Sequence, residues 1–204
     1  MKKTIICNIP MQNKEKIVYT SNDLSLPASS RAVHFPINAF LEETLKPDDE
    51  IKLVLLTKND EYSQAKKNAE TFLNEIKEVN EGIGAKIRFT VIDTAFSQEQ
   101  AVHEELMTSI VDEIDVGSHI LADITFGPKD VPIVLFSALG FAEKFLKCEI
   151  DNIIYGQASF KDGKATNTKL CDMVPLYYLN SVTDTINCEE PEKAKHMLKT
   201  LLSI

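Results

Sequence analysis

Seven consecutive residues, Asp123-Ile-Thr-Phe-Gly-Pro-Lys129, carry side chains suited to holding a phosphorylated ligand. Thr125 offers a hydroxyl, Gly127 lets a ligand approach the backbone, and Lys129 supplies positive charge. Pro128 leaves nearby helix-start N–H groups open to an anion. The segment follows an apolar run at 118–122 that predicts a buried strand. It precedes an apolar helical pattern over 131–146. Open α/β sheets place their ligands there, outside the carboxyl ends of strands and against a helix N-terminus. The competing reading is a plain strand-to-helix turn in which Asp123 or Thr125 caps the helix.

A second polar loop follows the first apolar run at 5–9. It holds Asn8, Ile9, Pro10 and Gln12, with Lys14 and Lys16 just beyond. If the two preceding strands are neighbours, both loops line one cleft. Each lysine taken alone is an ordinary solvated charge.

The elements that must position these loops alternate. Continuous apolar runs at 5–9, 51–57, 87–92, 118–122 and 152–156 predict buried parallel strands. A short edge strand fits 16–19, and the Ser- and Asn-containing stretch 20–30 reads as an exposed loop. Helical spacing covers 33–45 with Pro36 in its first turn. It recurs at 61–79, at 98–114 with Ser97 as its cap, and at 131–146. This alternation predicts an α/β fold: a Rossmann-like parallel-sheet core with helices on both faces. Beyond Gly163 the pattern loosens into two helices, 174–185 and 191–202. The expected organisation is a Rossmann-like domain over 1–163, with a small C-terminal helical extension over 164–204 packed on it.

The chain has 204 residues, is 44% hydrophobic and 26% charged, and carries a formal net charge of −9. That sign disfavours binding to bulk nucleic acid or an anionic membrane, and leaves room for one small anion in a local pocket. Cys7, Cys148, Cys171 and Cys188 are scattered, as in a reducing compartment, and show no metal-ligand spacing. The apolar run after Met-Lys-Lys stops at Asn8 and Pro10, too soon for a signal peptide. No stretch is long enough to span a membrane. A cytoplasmic protein without metal or cofactor is expected.

Several chemistries fail on spacing. The loop after the first strand lacks the G-x-G-x-x-G of dinucleotide-binding folds, and the pair Gly82 and Gly84 precedes a strand instead. No G-x-x-x-x-G-K-[ST] occurs. His34, His103, His119 and His196 are not paired at ligand spacing. Glu50-Ile-Lys52 imitates a metal-nuclease E-x-K but reads better as flanking strand charges. Arg31 lies too close to His34 for an R-x(4–6)-H ribonuclease pattern.

Asp-Ile-Thr-Phe-Gly127 followed by an apolar helix resembles the D-x-T-H-G signature of CRISPR-associated Rossmann-fold (CARF) proteins. Ile153-Ile-Tyr-Gly156 is similar to that family's strand ending in Tyr-Gly, and Asp172-Met-Val-Pro-Leu176 to its Asp-Leu-Thr-Pro stretch. Three departures stand out. Phe126 replaces the family's His, Lys129 replaces its Arg, and the first loop lacks the usual Leu-Gly-Thr glycine. The resemblance implies a homodimer that binds a cyclic oligoadenylate, the second messenger of type III CRISPR defence, across its two-fold axis. The implied ligand-binding residues are Asn8, Ile9, Pro10, Gln12, Asp123, Thr125, Phe126, Gly127, Pro128 and Lys129. The apolar helix 131–146 is the candidate interface. Some relatives cut the ring without metal, which would make Lys129 and Thr125 the catalytic candidates, with Asn8 or Gln12 orienting the 2′-OH. The expected function is a dimeric sensor of that ring, with metal-independent ring cleavage or an unrelated Rossmann-like role as alternatives.

Overall fold

Ile5, Ile6, Cys7, Leu53, Val54 and Leu55 are all fully buried, so consecutive residues face protein on both sides of the sheet. The computed structural model describes residues 1–162, 164–184 and 186–203. In chain order its elements are β1 (Lys2–Asn8), β2 (Ile17–Val18), β3 (Ala32–Val33), α1 (Pro36–Thr44) and β4 (Glu50–Asn59). There follow α2 (Ala65–Asn80), β5 (Lys86–Ala95), α3 (Gln100–Glu113), β6 (His119–Asp123) and α4 (Asp130–Phe145). Last come β7 (Glu149–Lys161), β8 (Lys164–Asp172), α5 (Val174–Asp184) and α6 (Pro191–Leu201).

The main sheet runs β5-β4-β1-β6-β7-β8, parallel throughout except for β8. Chain order reverses between β1 and β6, whose register pairs Cys7 with Asp123. In such sheets that reversal opens a crevice at the strands' carboxyl ends. Helices α1 and α2 pack together on one face, and α3 and α4 on the other. Ile5, Cys7, Leu53 and Leu55 join Phe40, Phe72 and Ile76 in the first core. The intervening Ile6 and Val54 point to the second face, where Leu106, Ile110, Leu135 and Leu139 are buried. The expected Rossmann-like α/β core is therefore present.

Helix α1 begins by an unusual route. Its N-cap is Phe35, which has no side-chain oxygen, and Pro36 has no N–H. The first-turn N–H of Ile37 donates instead to Asp123 Oδ2, and Glu75 of α2 holds the residues before the helix by accepting from the backbone N–H groups of His34 and Phe35.

Some boundaries differ from the sequence reading. Val33 belongs to β3, paired with β2 in a separate ribbon, rather than to α1. Within 20–30, Leu26 and Ser29 are buried. Ser97 does not cap α3: the N-cap is Glu99, whose N–H donates to the Ser97 hydroxyl. Most consequentially, Lys164–Asp172 is a strand of the sheet, not the start of a helical extension. Two compact units divide at Asp172 and Met173, and the second contains α5 and α6. Thr185, expected to end the first of these helices, lies outside the described residues. Among the described residues no helix is long and apolar enough to cross a membrane.

Candidate functional site

The loops after β1 and β6 lie side by side, because their strands are hydrogen-bonded neighbours. Asp123 ends β6 and is 2% exposed. Its Oδ1 accepts from the Thr125 N–H at 2.8 Å, and its Oδ2 accepts from the Ile37 N–H, in the first turn of α1, at 3.2 Å. Burial pushes its carboxyl up to about 6, against the lowering effect of these hydrogen bonds. The Thr125 hydroxyl accepts from the Gly156 N–H at 2.8 Å, which ties the loop to β7. Gly156 itself has no room for a side chain: a Cβ there would lie 2.3 Å from Pro36 Cγ. Asp123, buried, and Thr125, half-buried, thus lock β6, β7 and α1 together.

The loop after β1 is equally pinned. The Ile9 N–H donates to Leu56, and the Gln64 N–H donates to the Met11 carbonyl. Asn68 of α2 donates to the carbonyls of Pro10 and Gln12 at 2.7 and 3.0 Å. Gly127 has a φ of 86°, and a Cβ there would sit 3.5 Å from Asn8 Cβ. The Asn8 amide below it is buried, with neither its oxygen nor its nitrogen hydrogen-bonded.

Three openings surround these loops. The largest, about 890 Å³, is a groove bounded by residues 13–19, by the Thr125–Phe126 pair, and by Tyr155, Phe160 and Lys164 of the β7–β8 hairpin. A crevice of about 360 Å³ over the switch point is lined by Pro10, Gln12, Thr125, Phe126, Gly127 and Pro128, with Met11, Lys14 and Phe96. A side opening of about 200 Å³ holds Lys14, His34, Lys67 and Asn68. Lys14 borders all three. Its Nζ stands 5.5 Å from the centroid of the Phe126 ring, a cation–π distance. Phe126 is itself held edge-on against Phe35, which packs edge-on against Phe72 in the core.

Pro10, Gln12, Thr125, Phe126, Gly127 and Pro128 are therefore brought together as the sequence suggests. Asn8, Ile9 and Asp123 lie beneath the crevice instead of lining it. Lys129 is the exposed N-cap of α4 and borders none of these openings. The next residue, Asp130, anchors that helix start, 3.5 Å from Lys58 Nζ and 3.2 Å from His103 Nε2.

Sequence reasoning missed a histidine and a second wall. His34 lines the groove and the side opening, and its Nδ1 is 3.0 Å from Glu75 Oε1. The two are 41 positions apart, so no local spacing signals the pair. The β7–β8 hairpin adds Tyr155, Phe160 and Lys164. Elsewhere, His119, Glu149 and Asp151 gather their ligand-type atoms within 4.8 Å, but at the amino ends of the strands, opposite the groove.

Electrostatically the groove differs from the chain as a whole. Lys14, Lys16 and Lys164 face a single carboxylate, Glu15, within a protein of net charge −9. Tyr19 stays a neutral phenol, since burial and then the charges of Asp123 and Glu75 push its ionisation up. Burial, reinforced by Asp123, likewise keeps Cys7 a neutral thiol. Burial disfavours a thiolate at Cys7, and the arrangement suits an anion with apolar faces, held by lysines and aromatic rings. No family model matches the chain, and no curated protein matches it with significance.

Proposed function

We propose that this protein is a dimeric, CARF-like sensor that binds a cyclic oligoadenylate over the carboxyl ends of β1, β6 and β7. The observation that carries the reading is the local inversion of charge. An acidic chain places Lys14, Lys16 and Lys164 around one groove, together with Phe126, Tyr155 and Phe160. Lysines suit phosphates, and exposed aromatic faces suit bases, whose stacking is worth about 1–3 kcal/mol each. The groove adjoins the crevice at the switch point, where α/β folds bind nucleotides. The resemblance of Asp123-Ile-Thr-Phe-Gly127 and Ile153-Ile-Tyr-Gly156 to CARF sequences supplies the ligand's identity.

A ring with rotational symmetry fits two identical half-sites across an isologous interface. Helix α4 offers the surface for it. Ile133, Phe141 and Phe145 are exposed, and the two phenyl rings lie 4.9 Å apart between centroids. An apolar stripe of this kind on a monomer would face water unfavourably.

The test is titration with cyclic tri-, tetra- and hexa-adenylate by calorimetry, alongside sedimentation of the protein with and without ligand. Saturable binding of one ring per two chains is expected, to a dimer already present before addition. A monomer at micromolar concentration, or no binding of any ring, would overturn the reading.

A further inference from the structure

We propose that the free edge of β5 is a self-association surface, at which two copies of the chain pair antiparallel and continue one sheet through both. This edge lies outside the groove, and its pairing does not depend on the ligand.

Among the described residues, β5 ends the sheet and has β4 alone beside it. The ladder between them runs from Glu50 and Lys86 to Asn59 and Ala95 without a bulge. At its two ends the Lys86 N–H donates to the Asp49 carbonyl and the Phe96 N–H to the Asn59 carbonyl. Each residue of a parallel strand turns its N–H and C=O to one neighbour, and the next residue turns them to the other side. The even-numbered residues of β5 therefore bond to β4. Ile87, Phe89, Val91 and Asp93 direct their backbone groups outward, as a template for another strand. Natural edges are blunted by prolines, bulges or charges, and Phe89 to Ile92 has none of these.

The side chains along this rim are apolar. Ile87, Phe89 and Val91 share a sheet face with their β4 partners Ile51, Leu53 and Leu55. Those partners are buried in the first core with Phe72 and Ile76 of α2, which packs over β4. That cover stops short of the last strand, where Phe89 is 55% exposed and Val91 42%. On the opposite face Ile92 is buried, because α3 packs on β5 there.

A second copy is the occupant because β5 complements itself. Lys86 and Arg88 stand near its amino end and Asp93 near its carboxyl end, with uncharged residues between. Antiparallel pairing lays the basic end of each strand along the acidic end of the other. A parallel copy in register would set like charges side by side, which is unfavourable. A two-fold axis at Phe89 brings the two Phe89 residues together and sets Ile87 opposite the partner's Val91. These residues are the ones whose backbone groups face outward, so the same register satisfies both backbone and apolar side chains. Arg88, already paired with Asp115, then falls opposite the partner's Thr90. The contact is isologous and closes on itself. With the α4 interface proposed above, each chain carries two such surfaces, and assembly proceeds beyond two chains.

Sedimentation equilibrium of the full chain without ligand, across micromolar concentrations, tests this. Phe89→Lys and Val91→Lys change exposed side chains, so their circular dichroism should match wild type, and Phe89→Lys sets two ammonium groups against each other at the axis. Ile133→Lys, on α4, is the comparison. Wild type should form species larger than two chains. Phe89→Lys should raise the dissociation constant of the β5 step at least about 30-fold, as loss of a central contact does, and leave pairs joined through α4. Ile133→Lys should leave pairs joined through β5, and the double variant should be monomeric. Pairs that are insensitive to Ile133→Lys but lost in Phe89→Lys would support the β5 contact and remove the α4 dimer. Wild type that is monomeric, or that assembles no differently from both β5 variants, would overturn the proposal.

Discussion

Replacing Asp123 with asparagine should flatten one component of the protein's pH-dependent stability. The carboxyl is raised from its ordinary 3.8 to about 6 by burial. A carboxyl raised on folding binds its proton more tightly in the native state than in the unfolded one. Its contribution to stability is therefore complete below the unfolded value and is lost as pH rises through about 6. A rise from 3.8 to about 6 corresponds to about 3 kcal/mol at 1.36 kcal/mol per unit. The substituted asparagine cannot ionise, so the variant lacks this loss. Its amide oxygen can still accept from the Thr125 N–H, but its amide nitrogen would face the Ile37 N–H that Oδ2 now satisfies. The variant should thus be the less stable protein near pH 4, by about 1–3 kcal/mol for an unsatisfied buried donor. Its disadvantage should shrink or reverse towards pH 7. Urea unfolding of both proteins between pH 4 and 7 gives the difference directly, since every other titrating group cancels to first order. Two parallel stability curves would refute the argument, because Asp123 would then titrate like an exposed carboxylate.

Gly156→Ala should destabilise the fold by about 1–3 kcal/mol, measured by urea unfolding, because the new Cβ would overlap the Pro36 ring at 2.3 and 2.8 Å. Phe72→Ala should lose about 3–5 kcal/mol, seen as a lowered Tm, since Phe72 is fully buried and supports the Phe35–Phe126 stack. Lys14→Ala should weaken cyclic oligoadenylate binding by about 1.5–3 kcal/mol, the range for a hydrogen bond to a charged group, and Lys129→Ala by much less. Calorimetry on both variants checks this, and an equal loss would place the start of α4 in the site.

The parallel core was legible because burial on both faces writes a continuous apolar run, as in Ile51 to Leu56 of β4. β8 was not. Its residues Lys-Ala-Thr-Asn-Thr-Lys-Leu-Cys-Asp form an edge strand in which only Leu170 is buried, so no alternation announces it. The same invisibility hid the hairpin wall of the groove, including Lys164 and Phe160.

At the candidate site, residue types picked out two loops that the fold brings side by side, but left two roles unresolved. Aspartate and threonine are chosen both to cap backbone and to bind anions, and the sequence offers the same letters for either use. Burial decides between them. Asp123, at 2% exposure with both oxygens accepting from backbone N–H groups, is scaffold, whereas the half-buried Thr125 accepts from the Gly156 N–H and keeps its own O–H donor. The side chains that line the openings are then neighbours whose letters carried less signal. Lys14 resembled any surface lysine, and Phe126 a lost polar contact. Packed against Phe35, however, the Phe126 ring becomes a fixed platform under the Lys14 ammonium. His34 became informative only once folding brought the carboxylate of α2 behind it. A site assembled from separate loops, one helix and a hairpin owes its chemistry to long-range contacts. Its scaffold residues are the ones that local sequence displays most clearly.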